Sequence, residues 1–198
     1  MNKFNYDAKR YYKSFITKNK FKLAQIFKHK EYFCSTISRF YIDLKSKKGI
    51  PKYIKKLRKV WEKKDIVIIE GEKSRLGMGN NLFGNTISIQ RIICPIKNAF
   101  NKYKEIINTI LNKVNKDKLI LIALGPTATV LAYDLNKFGY QVIDIGHVDI
   151  EYEWFLRKAR GKICINNKYV NECGERNHIY SKINDTNYYK QIIARILD

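Results

Sequence analysis

What the sequence lacks narrows the field first. Its four cysteines, Cys34, Cys94, Cys164 and Cys173, show no CxxC spacing and no nearby pair of histidines. Neither a zinc site nor a redox pair is therefore indicated, and they read as thiols in a reducing compartment. No apolar stretch approaches the roughly 20 residues needed to cross a bilayer, since the longest aliphatic run is Leu119–Leu124. The opening Met1–Asp7 also lacks the apolar core of a signal peptide, so a cytoplasmic protein without a transmembrane segment is expected. Internal repeats and low-complexity tracts are absent. The 45% hydrophobic content argues against disorder and, over 198 residues, suits one packed domain.

Acidic side chains are scarce, with 18 Asp+Glu against 39 Lys+Arg and a net charge of +21. Residues 1–64 hold 20 basic and 4 acidic side chains, a net of +16, which leaves 19 and 14, a net of +5, for residues 65–198. The basic third is rich in Tyr and Phe, as in Lys52-Tyr53-Ile54-Lys55-Lys56, and is suited to an anionic partner. It carries no RNA- or DNA-binding signature, which favours a solvated helical surface over a nucleic-acid site. The chain divides into a basic helical segment, 1–64, with a break at Gly49-Ile50-Pro51, and an α/β unit, 65–198.

Four short aliphatic runs mark strands buried on both faces: Ile66–Ile69, Arg91–Cys94, Leu119–Leu124 and Gln141–Ile145. Helical patterns lie between the later ones. Asn98–Val114 spaces Phe100, Tyr103, Ile106, Ile107, Ile110, Leu111 and Val114 by threes and fours, and Thr127–Phe138 does the same with Val130, Leu131, Ala132, Tyr133 and Leu135. This alternation predicts an open, mainly parallel, Rossmann-like sheet flanked by helices. A small hairpin is predicted over Lys162–Val170, and a closing helix over Asn187–Leu197 with Tyr188, Ile192, Ile193 and Ile196 inward.

Ligands of such sheets settle beyond the carboxyl ends of the strands, which directs attention to three loops. Glu70–Asn81 offers Gly71, Gly77, Gly79, Ser74, Arg75 and Asn80, a set able to bring backbone N–H groups and a cation to a phosphate. It matches neither a P-loop nor a dinucleotide fingerprint, and a plain surface turn accounts for it equally well. Gly125-Pro126-Thr127 opens a helix whose free N–H groups attract an anion, although an ordinary strand-to-helix turn looks the same. In the third loop His147, Asp149, Glu151 and Glu153 crowd together after Asp144. Were Asp149-Ile150-Glu151 extended, alternation would put both carboxylates on one face, where they could hold Mg2+ or Mn2+ against a diphosphate. The competing reading is an acidic helix start. Tyr152, Trp154 and Phe155 offer stacking surfaces or core packing.

At these residues the sequence resembles a known family. Ile66–Phe83, Cys94–Phe100, Gly125–Leu135 and Asp144–Trp154 are similar to segments of the bacterial GT-D type glycosyltransferases, over a stretch from about Ser38-Arg39 to the C-terminus. The resemblance implies transfer of a hexose from a nucleotide-diphosphate sugar such as a UDP-sugar to a glycan or glycoprotein acceptor. It also implies a metal ion at Asp149 and Glu151. Glu70–Asn80 and Gly125-Pro126-Thr127 would line the donor pocket. Glu153 and His147 are candidate acceptor bases on proximity alone, not from the resemblance. An Arg-Phe-Gly-Asp-Gly-Glu-like segment of longer members has no counterpart here. The chain therefore reads as the C-terminal two-thirds or so of a full enzyme, whether clipped, completed by a complementary N-terminal chain, or inactive. The alternatives are a nucleotide-binding α/β module without transfer activity, a nucleic-acid-binding protein and, more remotely, an adenine-cofactor enzyme.

Overall fold

The computed structural model describes residues 3–27, 35–173, 180–181 and 184–197. Cys34 lies outside them. Five strands, β1 (Asp65–Gly71), β2 (Ser88–Cys94), β3 (Leu119–Ala123), β4 (Gln141–Asp144) and β5 (Ile192–Arg195), form one sheet in the order β4-β3-β1-β2-β5, with every pairing parallel. The four aliphatic runs are β1 to β4.

Alternation along β1 sends its side chains to two cores. Ile66 and Ile68 face a layer built from α2 (Ile50–Arg58), α5 (Val148–Leu156) and the segment between β1 and β2, including Trp61, Leu82, Phe83 and Trp154. Val67 and Ile69 face α3 (Tyr103–Lys113) and α4 (Pro126–Lys137) through Ile106, Ile110, Ala128, Leu131 and Leu135. Phe40, Tyr41 and Ile42 join the first core. Helix α1 (Tyr6–Ile26) buries only Ala8. It is moored at its start, where Asn5 accepts from the Ala8 amide (2.9 Å) and donates to the Ile42 carbonyl (3.1 Å).

Several expectations are corrected. Val130 and Tyr133 are 42% and 66% exposed, because the inner stripe of α4 runs through Thr127, Ala128, Leu131 and Leu135 instead. Phe100 also points outward, from a short 3-10 turn (Ala99–Lys102) before α3. The expected closing helix is a short α6 (Thr186–Lys190) followed by β5. Ile192-Ile193-Ala194 is a short aliphatic run that adds an edge strand to β2, where tertiary pairing outweighs helical spacing. Lys162–Val170 turns at Asn166-Asn167, with Asn167 at φ +66°, but forms no strand ladder. Cys164 and Cys173 are disulfide-bonded, with Cα atoms 5.5 Å apart, rather than free thiols. Cys94 is a buried thiol pushed up to about 12 by burial. No helix among the described residues is long and apolar enough to cross a membrane.

Candidate functional site

The chain leaves β1 toward β2 on one side, while β3 lies on the other, so the strand order reverses between β1 and β3. A crevice of about 580 Å³ opens there, beyond the carboxyl ends of the strands, as the topology of open α/β sheets dictates. All three loops singled out in the sequence reach it. Gly71, Ser74, Gly125, Pro126, Thr127, His147 and Asp149 line its wall. The start of α4, with its partial positive charge, thus faces the cavity.

The remaining site candidates lie elsewhere. Glu70, fully buried, pairs with Arg91 (2.5 Å) and accepts from the Leu76 amide (2.6 Å). Burial raises its pKa against the pull of Arg91. Arg75 turns away to donate to the Asn167 carbonyl (3.0 Å). Gly77, Gly79 and Asn80 border a second cavity, on the flank of the sheet beside Arg91 and Tyr188. These residues brace the Gly-rich segment instead of lining the crevice. Gly77 has φ +75°, and an added Cβ would come within 2.7 Å of the Phe83 ring.

Asp149-Ile150-Glu151 is helical, not extended. Side chains two positions apart on a helix diverge by about 200°, and the two carboxylates do so. Asp149 accepts from the Gly77 amide (2.8 Å), Asn80 Nδ2 (2.9 Å) and the Lys168 ammonium (2.6 Å). Glu151 points inward and accepts from the Tyr41 and Ile42 amides at 2.7 and 2.8 Å. Burial raises its pKa despite those two bonds. Its Oε1 has no hydrogen-bond partner among the described residues. Glu153 pairs with Lys168 (2.9 Å), Asn80 (2.7 Å) and Arg157. Burial pushes its pKa up, but these donors outweigh it and hold the carboxyl low. Tyr152 and Trp154 belong to the core.

A divalent ion shared by Asp149 and Glu151 therefore does not fit this geometry. Only Asp149 reaches the crevice, both its oxygens already accept from protein donors, and Lys168 stands where a counter-cation would. No cluster of three or more His, Cys, Asp or Glu side chains among the described residues is arranged for a metal.

Sequence reasoning missed part of the wall. Lys97, Asn98 and Phe100 follow β2, and the rule that pointed to the other carboxyl-end loops applies to β2 as well. Asn98 adopts φ +52°, a left-handed conformation that Asn tolerates. Tyr169 and Asn171 enter from a loop attached to no sheet strand, so no local signal announces them. His147 is held by that loop too: Arg39 lies 3.1 Å from His147 Nε2 and 2.8 Å from Glu172, whose Oε1 is 3.4 Å from the same ring nitrogen.

The family model of the glycosyltransferase GT-D fold matches residues 1–173. The chain belongs to the GT-D glycosyltransferase family. The match takes in the basic N-terminal segment as well, upstream of the Ser38-Arg39 boundary expected from the motifs. Among solved structures, one described as a domain of unknown function 1792 with a distinct glycosyltransferase fold superposes with a TM-score of 0.92 at 39% identity, covering 99% of this chain and 70% of that one. A glycosyltransferase from Streptococcus sanguinis gives 0.93 at 37% identity, covering 99% and 73%. A probable glycosyl transferase Gly of Streptococcus gordonii is 39% identical over 196 residues, and the glycosyltransferase GlyD of Streptococcus pneumoniae is 43% identical over 167. Those alignments take in 99% and 84% of this chain, which spans 28% and 20% of the length of the two curated relatives.

Proposed function

We propose that this GT-D chain binds a UDP-sugar in the crevice between β1 and β3 and transfers the hexose to a hydroxyl of a glycan or glycoprotein acceptor. The observation that carries the reading is the convergence of the start of α4, the Ser74 and Thr127 hydroxyls and the His147–Asp149 wall on one cavity at the strand-order reversal. Backbone N–H groups at a helix start suit the diphosphate, and the exposed Phe100 ring at the wall suits the flat face of a base or sugar.

In the reaction the bond from sugar C1 to the diphosphate oxygen breaks, UDP leaves with that oxygen, and C1 bonds to the acceptor oxygen. The acceptor's proton goes to His147, since of the two candidate bases it is the one that lines the cavity.

Calorimetric titration with UDP, with and without Mn2+, and an assay of UDP release from UDP-hexoses test this reading. Thr127→Val is expected to weaken UDP binding, and His147→Ala to abolish release while leaving UDP binding in place. Absence of UDP binding in either condition overturns the reading. Binding without release or transfer from any UDP-hexose would make the chain a nucleotide-binding module.

A further inference from the structure

Lys168 and Glu172, outside every strand-to-helix loop, act on the crevice wall from a single loop. Residues 164–173 contain no helix or strand. Their course is fixed by Ile165 and Val170, buried in the core, by the Tyr169 amide donating to the Lys73 carbonyl (2.7 Å), by the Arg75 bond to Asn167, and by the Cys164–Cys173 disulfide that closes the loop. From it Lys168, only 3% exposed, reaches Asp149 and Glu153 at 2.6 and 2.9 Å, while Glu172 meets His147 and Arg39.

A buried ammonium between two carboxylates repays its lost hydration only where geometry is tight, so the pair fixes direction more than it adds stability. Asp149 has one Oδ on Lys168 and the other on the Gly77 amide and Asn80, which ties three separate segments at the crevice wall. Glu172 does the same for the imidazole: shared with Arg39, it limits how the ring turns. Burial alone would raise the Glu172 pKa, yet His147 and Arg39 bring it down to about 2.

We propose that Lys168 and Glu172 are positioning residues, holding Asp149 and His147 respectively, and that the Cys164–Cys173 bond keeps the loop that carries them in register with the crevice. The catalytic consequence rests on the donor-site reading above, whereas the positional claim does not. Reduction by a dithiol reagent should therefore loosen the site: the S–S bond accepts two electrons and two protons, leaving two thiols, as the reagent closes to its own disulfide.

Amide hydrogen exchange at Gly77, whose N–H reports on Asp149, tests the claim without any ligand. Lys168→Met, and the wild-type chain treated with dithiothreitol, are each expected to exchange there at least about tenfold faster. If Lys168→Met does not fold, Cys164→Ser/Cys173→Ser carries the same comparison. Where UDP-hexose cleavage is measurable, Glu172→Gln is expected to lower kcat with the donor KM unchanged. Unchanged Gly77 exchange in both Lys168→Met and the reduced chain overturns the proposal. Wild-type failure to bind UDP would instead count against the donor-site reading, and exchange would still decide the positional one.

Discussion

Replacing Glu151 separates a structural carboxylate from a metal ligand. Its side chain is fully buried and holds the Tyr41 and Ile42 amides, on residues themselves only 6% exposed. Glu151→Ala strands both donors, at about 1–3 kcal/mol each, for a total loss of about 2–6 kcal/mol before any cavity term. For a chain of this size each kcal/mol moves the melting temperature by about 2–4 °C, so a drop on the order of 10 °C is expected. Glu151→Gln keeps an acceptor for the amides and is expected to lose no more than about 1.5 kcal/mol. Melting curves followed by circular dichroism, paired with UDP titration below the transition, measure both effects. A Glu151→Ala chain that melts like wild type yet no longer binds UDP with Mn2+ would refute this reasoning and place the carboxylate in the crevice.

Two other perturbations follow from buried charge. Arg91→Met leaves the buried Glu70 carboxyl without its cation, with an expected loss of about 3–5 kcal/mol in urea unfolding at neutral pH. Adding Glu70→Gln should recover much of that loss, and a double variant no better than the single would contradict the pairing. Glu172 titrates near 2 when folded, against an ordinary 4.5, and its side chain is 14% exposed. At about 1.4 kcal/mol per unit, it contributes roughly 3 kcal/mol. A depressed carboxylate is stabilising above its unfolded pKa, and that contribution fades as pH falls from 4.5 toward 2, because the unfolded chain takes up the proton first. The stability gap between wild type and Glu172→Gln should therefore be full at pH 6 and small near pH 2, and a gap constant across that range would count against the ion pair.

The sheet was legible because parallel strands covered on both faces must be aliphatic throughout, as in Ile66–Ile69 and Leu119–Ile122. β5 was not, because Tyr188, Ile192 and Ile196 also fit helical spacing. The crevice could be located because its loops follow strands directly, which is how Gly71, Gly125 and His147 came together. For Asp149 and Glu151 the sequence left a strand and a helix start open, and an i, i+2 spacing converges on the first and diverges on the second, which is what the structure shows. Lys168 and Glu172 carried no local signal, since their partners lie 19 and 25 positions away, at Asp149 and His147. The Cys164–Cys173 link was equally unreadable, because spacing alone does not tell a bonded pair from two thiols.

The position of β5 in the sheet bears on how the protein is made. β2 pairs with β1 on one side and with β5 on the other, and Arg91 gains both its Gln191 contacts only when that last strand docks. Everything from Pro95 to Gln191 leaves the ribosome in between, so throughout that interval the nascent chain carries an open backbone ladder along β2. Unpaired edges of this kind recruit foreign strands, so the docking of β5 on β2 is the step that shields this one from unwanted pairing.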